Sequence, residues 1–410
     1  MEGTCADWQR LRDQLVNGLE LAGHVSSQRV AAAFRAVPRH VFVPDIEPER
    51  AYRDEAFAIK YDARGLPISS SSQPAIMARM LDQLDVQPGH RVLEIGTGSG
   101  YNAALLGHLV GDTGAVMSLD IDADIAADAR ERLAACGASA VTVGCGDGVL
   151  GWPELAPYDR IIATVGVWDV PPAWMAQLAA QGRFVVPLDL RGPQRSIAFE
   201  PVGDHLESVS VVPCGFMRMR GPFAGPEEMH QLGPERGVLL GLAEQRPIDV
   251  DALYAALAQP GVDVPSGVRV TLNDAWRGLA LWLALREPAI AGLSAFGAAA
   301  NHGPVPALIE YPGRGTDTVA LVETDALAAL VRLDEEDQSF ELGARPFGPN
   351  GDRLAQRIVG HIHEWNTHGR PGSAGLQVSV YPRDSDHAAI LNASNIIEKR
   401  HTRLTLTWAP

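Results

Sequence analysis

Val92-Leu93-Glu94-Ile95-Gly96-Thr97-Gly98-Ser99-Gly100-Tyr101 sets a short apolar run directly ahead of three glycines spaced G-x-G-x-G. Glycines after a strand let the backbone turn tightly and approach a ligand with no Cβ in the way. The dinucleotide fingerprint is G-x-G-x-x-G or A, but here the third glycine comes one place early and position 101 is Tyr. Glu94, two residues ahead of the loop, would repel a pyrophosphate and suits a ligand that carries positive charge. S-adenosylmethionine, with a sulfonium and an ammonium, is such a ligand. Asp120 falls twenty positions after Gly100, where a carboxylate takes both ribose hydroxyls. Asp147, in Gly146-Asp147-Gly148, is placed to accept from an adenine amino group. The expected cofactor-binding set is Glu94, Gly96, Thr97, Gly98, Gly100, Asp120, Ile121, Asp147 and Gly148, its acids converging on one crevice. For Asp120 and Asp147 the alternative is plain capping of helices or turns.

Such a crevice needs alternating strands and helices, and the chain has that rhythm from residue 90 onward. Strands are expected over 91–95, 115–120, 140–144, 159–165 and 183–188, with helices over 101–109, 123–135 and 172–181. That alternation means βαβ units and a parallel sheet covered on both faces; strands at 196–200 and 207–212 close it. Ahead of it lie helices over 7–21 and 26–37, the second capped by Ser26. An irregular stretch over 40–72 follows, broken by Pro44, Pro48 and Pro67, and Ser72 is placed to cap a helix over 73–84. The proline- and glycine-rich segment 216–236 reads as a linker between a first domain, 1–215, and an α+β domain, 237–410. In the latter, helices are expected over 249–258, 273–285 and 352–365, and strands over 318–322, 376–381 and 403–408.

The 410 residues exceed one ordinary domain, and 46% hydrophobic content provides for a sizeable core. A net charge of −16 opposes phosphate backbones and anionic lipid, so neither nucleic acid nor membrane is an expected partner. No basic segment followed by an apolar run opens the sequence, and no charge-free apolar stretch reaches membrane-spanning length. Cys5, Cys136, Cys145 and Cys214 are scattered, which disfavours structural zinc and a disulfide framework and fits a reducing cytoplasm. His361 and His363 stand two apart on an expected helix, so they face apart and chelate no common ion; a solvated helix end is the expectation there, and no metal site. Cys145 is expected as a packed small side chain, Trp365 as core and His40 as structural.

Residues from about 28 to 190 resemble the protein-L-isoaspartate O-methyltransferases. The resemblance rests on Arg39-His40-Val41-Phe42-Val43-Pro44, Ala51-Tyr52-Arg53-Asp54, Ser72-Gln73-Pro74 with Ala78-Arg79-Met80-Leu81, the glycine loop, Gly146-Asp147-Gly148, Pro157-Tyr158-Asp159 and Gly182-Arg183-Phe184-Val185-Val186-Pro187. It implies a Rossmann-like class I S-adenosylmethionine-dependent methyltransferase fold behind N-terminal helices, and transfer of the methyl group to a peptide carboxylate. A carboxylate of pKa about 4 is already a nucleophile at neutral pH and needs no general base. The work left to the protein is orientation.

Ser72 matches the serine of the family's Ile-Ser-x-Pro motif; with Ser71 and Ser70 it is the expected substrate-orienting group, though Ser72 can equally be a plain N-cap. Ser71 stands where the family has Ile, giving a run of four serines in the loop that would line the acceptor pocket. That departure, and a chain about twice as long as the sheet requires, resemble the larger relatives that accompany ribosomal-peptide clusters. There the resemblance implies esterification of an aspartate in a modified, macrocyclic precursor, followed by aspartimide and isoaspartate, with the C-terminal domain recognising the peptide. The alternatives are a repair methyltransferase for isoaspartate with an accessory domain, and a non-catalytic peptide-binding scaffold. The expected partner in each case is a peptide or protein bearing aspartate or isoaspartate; the sequence is silent on oligomeric state.

Overall fold

The computed structural model describes residues 5–63, 65, 67–234, 237–303, 305–311, 315–391, 393 and 395–408. The expectations for residues 1–4 and for 235–236, the end of the linker segment, fall outside these. Two helices, Cys5–Leu21 and Gln28–Ala36, open the fold. The second is capped by Ser27, whose Oγ accepts from the Val30 N–H, rather than by Ser26, whose Oγ donates to Asp82 at 2.7 Å. The stretch expected to be irregular holds an antiparallel hairpin, β1 (Phe57–Tyr61) and β2 (Pro67–Ser71), with Phe57 opposite Ser71 and Ala58 opposite Ser70. A serine run has no apolar alternation, so the period-2 signal of a strand is missing from the sequence there.

The helix Pro74–Leu84 starts after Gln73. Its cap comes from Asp54, which accepts from the Ala75 N–H at 2.8 Å and Gln73 Nε2 at 2.7 Å. This corrects the expected N-cap role of Ser72: the helix begins beyond it, and a carboxylate reaching in from the neighbouring loop makes the stronger, charge-assisted cap.

β3 (Arg91–Ile95), β4 (Ala115–Asp120), β5 (Val141–Cys145), β6 (Tyr158–Ala163) and β7 (Leu178–Asp189) run parallel, and β8 (Gln194–Val202) and β9 (His205–Pro213) continue the sheet antiparallel. Their order across the sheet is β5-β4-β3-β6-β7-β8-β9. From β3 the chain steps to one side for β4 and β5 and returns to the other for β6 and β7. Ligands bind at such a switch point, outside the carboxyl ends of the strands. The N-terminal helices and Tyr101–Val110 bury Val16, Phe34, Leu81 and Leu105 against one face.

A second, wholly antiparallel sheet takes β10 (Glu228–Leu232), β11 (Val238–Leu242), β12 (Val264–Thr271), β13 (Ile290–Phe296), β14 (Ile309–Tyr311), β15 (Gly315–Val322), β16 (Leu327–Glu336) and β17 (Ser339–Phe347), in the order β10-β11-β13-β15-β16-β17-β12 with β14 beside β15. The helix Gly351–Thr367 lays Leu354, Ile358, Ile362 and Trp365 on it, as a 3.6-residue apolar stripe requires. His361 and His363 lie within this helix: His361 Nε2 meets the buried Glu287 at 2.8 Å and His363 Nε2 meets the Ser266 carbonyl at 2.7 Å. The expected solvated helix end is thereby corrected, since the helix continues to Thr367 and both imidazoles are occupied by its neighbours. Among the described residues no cluster of three or more His, Cys, Asp or Glu is placed to hold a metal.

The chain then crosses back. β18 (Leu376–Pro382), β19 (Ile396–Glu398) and β20 (Thr402–Trp408) join the first sheet through the pairing of β18 with β9, making it ten-stranded. Residues 376–408, read from the sequence as part of a separate second half, thus complete the first sheet. Buried polar contacts hold them: Asp169 accepts from the His401 N–H and Thr402 Oγ1, each at 2.6 Å, and Lys399 Nζ donates to the Asp189 carbonyl at 3.1 Å. The segment 216–236 is equally divided between the units. Met217 and Met219 bond to Gly166 at 2.8 Å, on the first sheet, whereas β10 begins at Glu228. Among the described residues no helix is long and apolar enough to cross a membrane.

Candidate functional site

A cleft of about 1110 Å³ opens between the carboxyl ends of the parallel strands and the facing surface of β10, β11, β13 and β15. Ser70, Ser71, Ser72, Gly96, Thr97, Gly98, Asp120, Ile121, Asp147 and Gly148, all expected in the site, line it.

The glycine loop is built as its spacing implies. Gly96, Gly98 and Gly100 have φ of 99°, 51° and 88°, a left-handed backbone that side-chain-bearing residues resist. A Cβ on Gly96 would stand 2.7 Å from Thr164 Oγ1, so the loop lies directly on the end of β6. Gly100 does not line the cleft: it caps the helix Tyr101–Val110, and a Cβ there would stand 3.3 Å from the Ala129 Cβ. Its expected place in the cofactor-binding set is corrected to a helix cap and a close helix contact.

Asp120 is 8% exposed and accepts from the Gly98 N–H at 2.9 Å and the Asp122 N–H at 3.1 Å. Each of its oxygens retains a further lone pair toward the cleft, so it fixes the loop and still accepts from a ligand. Burial raises its pKa above the usual carboxylate range, against the two backbone donors. Asp147 caps the turn Gly148–Leu150, accepting from the Val149 N–H at 3.0 Å, and lines the cleft as well. Capping and ligand binding, set as alternatives from the sequence, are compatible at both positions. Cys145, expected to be packed, is exposed.

Glu94 stands apart from its two partners. It is fully buried beneath the loop, outside the cleft, and accepts from Asn102 Nδ2 at 2.8 Å and Ser118 Oγ at 2.5 Å. Ser118 Oγ in turn lies 2.7 Å from Thr97 Oγ1, a cleft residue. The expectation that all three acids converge on one crevice is corrected: strand alternation sends Glu94 into the layer between β3 and the following helix, where it steadies the loop from below.

Burial raises the Glu94 pKa to about 7, opposed by the hydrogen bonds from Ser118 and Asn102. Between the ordinary value of 4.5 and 7 the folded chain keeps a proton that the unfolded chain has released, so this group's contribution to stability falls as pH rises through that window. Glu94→Gln, which keeps the shape and the acceptor for Asn102 while its amide N–H donates to Ser118 Oγ in place of accepting from it, removes this dependence. Urea melts at pH 5 and pH 8 should show the variant gaining up to about 3 kcal/mol on the natural chain at the higher pH. Parallel behaviour at both would mean that Glu94 titrates normally.

The serine strand meets the glycine loop directly: a Cβ on Gly98 would stand 3.2 Å from the Ser70 carbonyl. Ser71, a residue of the cleft wall, is 2% exposed, and its buried Oγ has no hydrogen-bond partner within the chain. Arg39, itself fully buried, ties this wall in place by donating to the carbonyls of Ala51 (2.9 Å), Arg53 (2.8 Å), Glu55 (2.6 Å) and Ser72 (3.1 Å). The neighbouring His40 stays outside the cleft, bonded to the Tyr52 hydroxyl at 2.7 Å.

With both signature segments in contact across one cleft, likeness to known proteins gains a structural meaning. Residues 10–219 match the family model for protein-L-isoaspartate(D-aspartate) O-methyltransferase. The chain belongs to that family. Its cofactor is accordingly S-adenosylmethionine, and the loop glycines, Asp120 and Asp147 suit that cationic ligand. A protein-L-isoaspartate O-methyltransferase of Methanopyrus kandleri is 41% identical over 48% of this chain and 85% of its own length. Another, from Halorhodospira halophila, is 41% identical over 52% of this chain and 92% of its own. A solved structure described as a protein-L-isoaspartate O-methyltransferase aligns with 90% of this chain and 96% of itself, at 23% identity and a TM-score of 0.50. That last likeness concerns the fold alone, but it runs well past residue 219.

Sequence reasoning missed much of the cleft: Thr164, Arg191–Arg195 on the turn into β8, residues 212–220, and the wall from the second sheet. One signal was present. Met217-Arg218-Met219-Arg220 is an alternating apolar and basic run, out of character for a linker in an acidic chain. Arg218 binds Asp189 at 2.9 Å and Arg220 binds Asp122 at 2.6 Å, so this run is tied to the carboxyl ends of β7 and β4.

Proposed function

We propose that this chain esterifies an aspartyl carboxylate within a peptide held between the two walls of the cleft. The observation that carries the reading is the orphaned Ser71 hydroxyl beside the glycine loop: a buried donor without a partner, in the wall a carboxylate would meet. The bound cofactor supplies an electrophilic methyl group. One carboxylate oxygen forms the bond to methyl carbon as the carbon–sulfur bond breaks; its electron pair stays on sulfur, and no proton moves. Ser70, Ser71 and Ser72 steer the carboxylate by hydrogen bonds that leave its charge, and hence its nucleophilicity, intact. Asp120 and Asp147 hold the cofactor from the opposite side.

Ser71 in the place of Ile, and a cleft walled by a second sheet, favour a bulky acceptor: aspartate in a modified, macrocyclic ribosomal peptide. The methyl ester would then lose methanol to the next backbone nitrogen, giving an aspartimide that opens to isoaspartate. A second reading, repair of isoaspartate in damaged proteins, is favoured by the relatives' names. Mass analysis separates the two. Methyl gain followed by methanol loss on a macrocyclised aspartyl peptide, with an isoaspartyl peptide untouched, supports the first; the converse supports repair.

A further inference from the structure

The cleft is divided by charge. Asp120 and Asp147 sit over β4 and β5; Arg79 stands apart on the helix Pro74–Leu84, against His24, and most of the cleft's other arginines, with the acid Glu227 among them, gather toward β7, β8 and the second unit. Several of these are neutralised: Arg191 by Glu244 at 3.1 Å, Arg218 by Asp189 and Arg220 by Asp122. Arg195 and Arg277 are different. Arg195 is 3% exposed, and its guanidinium donates to Ser373 Oγ at 2.7 Å, the Gln194 carbonyl at 2.9 Å and the Arg277 carbonyl at 2.9 Å. Every one of these partners is neutral, and they use three of five N–H donors. Arg277 is exposed on a π-helical turn, Asp274–Leu279, and its guanidinium has no carboxylate partner among the described residues. It lies close enough for its charge to oppose that of Arg195. Two adjoining cations without a counter-anion, one of them buried, are costly unless something negative arrives.

We infer that Arg195 and Arg277 form a subsite for a second carboxylate of the acceptor, so that the preferred substrate is an acidic peptide with another carboxylate close to the one esterified. This rests on the reading of the cleft as a peptide carboxyl methyltransferase site. The cofactor's own carboxylate is a poor occupant. β8 lies three strands from β3, about 14 Å at the usual spacing, which is beyond the amino-acid head of a ligand seated on the glycine loop. The subsite also resolves a conflict of charge: a protein of net charge −16 repels an acidic peptide at long range and needs local cations to retain it.

The test uses the full chain saturated with S-adenosylhomocysteine and fluorescent peptides sharing one isoaspartyl or aspartyl target, each with Glu or Gln at one of the two positions on either side. Anisotropy should show at least one Glu peptide binding about tenfold or more tightly than its Gln twin. Arg277→Gln should erase that preference and Arg277→Lys should retain part of it; neither should alter the Gln twin. Arg277 is exposed, so its replacement leaves the fold in place, and S-adenosylhomocysteine affinity, measured in parallel, should not move. Equal binding of every pair, or a preference that survives Arg277→Gln, overturns the subsite. A fall in S-adenosylhomocysteine affinity would assign the cations to the cofactor and also overturn it. Methylation of the same peptides is scored separately. A Glu preference without methyl transfer leaves the subsite standing and removes the functional reading.

Discussion

Replacing Asp120 with alanine weakens S-adenosylmethionine binding by about a hundredfold, measured by calorimetry. The carboxylate sits at the end of β4 with its two oxygens engaged by the Gly98 and Asp122 N–H groups, and it lines the cleft. Two charge-assisted hydrogen bonds to ribose hydroxyls would contribute together about 3 kcal/mol of binding. The effect on the loop adds to this, because Gly98 at φ 51° is held by the same carboxylate. Asp120→Asn, which can still accept one hydrogen bond, should fall between the natural chain and the alanine variant. Unchanged affinity in Asp120→Ala would place the cofactor away from the end of β4.

Gly292→Leu should lower kcat/KM for any peptide acceptor by more than about a hundredfold while leaving S-adenosylmethionine affinity unchanged. Gly292 lies on β13, exposed toward the cleft, between Gly241 on β11 and Val319 on β15. The adjacent β10 places Met229 beside Gly241, so the row reads Met, Gly, Gly, Val and has a shallow floor at its centre. A Cβ at Gly292 meets nothing within 4 Å, and its backbone lies outside the left-handed region, so leucine enters without strain. On the proposed reading, the side chain enters cleft space that a peptide acceptor would cross. A variant that folds, binds the cofactor and still methylates peptides at the natural rate would show that the acceptor does not pass over the second sheet.

The parallel sheet was legible because its strands are apolar runs separated by periodic helices, a pattern set by local sequence. Of the second sheet only the strand over 318–322, within β15, was. Many of its strands, such as β10 and β12, mix apolar and polar residues on faces whose burial depends on partners far along the chain. The return of β18 to β9 joins residues 376–382 to 205–213, a pairing with no local trace. At the site, glycine spacing and the acids after β4 and β5 were readable from chain position alone. Glu94 was misplaced because a loop motif does not say which face of β3 a carboxylate takes. Ser71 was singled out for departing from a family motif, yet its burial without a partner is a property of the folded wall. Arg195 was invisible for a similar reason: an isolated arginine in a sequence gives no sign that burial will leave it without a counter-anion.

A carboxyl ester is the product expected of this cleft. The direct measurement is incubation with trideuteromethyl S-adenosylmethionine and the aspartyl and isoaspartyl peptides, followed by mild base. The expected result is label on a peptide carboxylate, released by base as labelled methanol, and absent with Asp120→Ala at limiting cofactor. Label that survives base, or no label on any peptide while the cofactor remains bound, would contradict it.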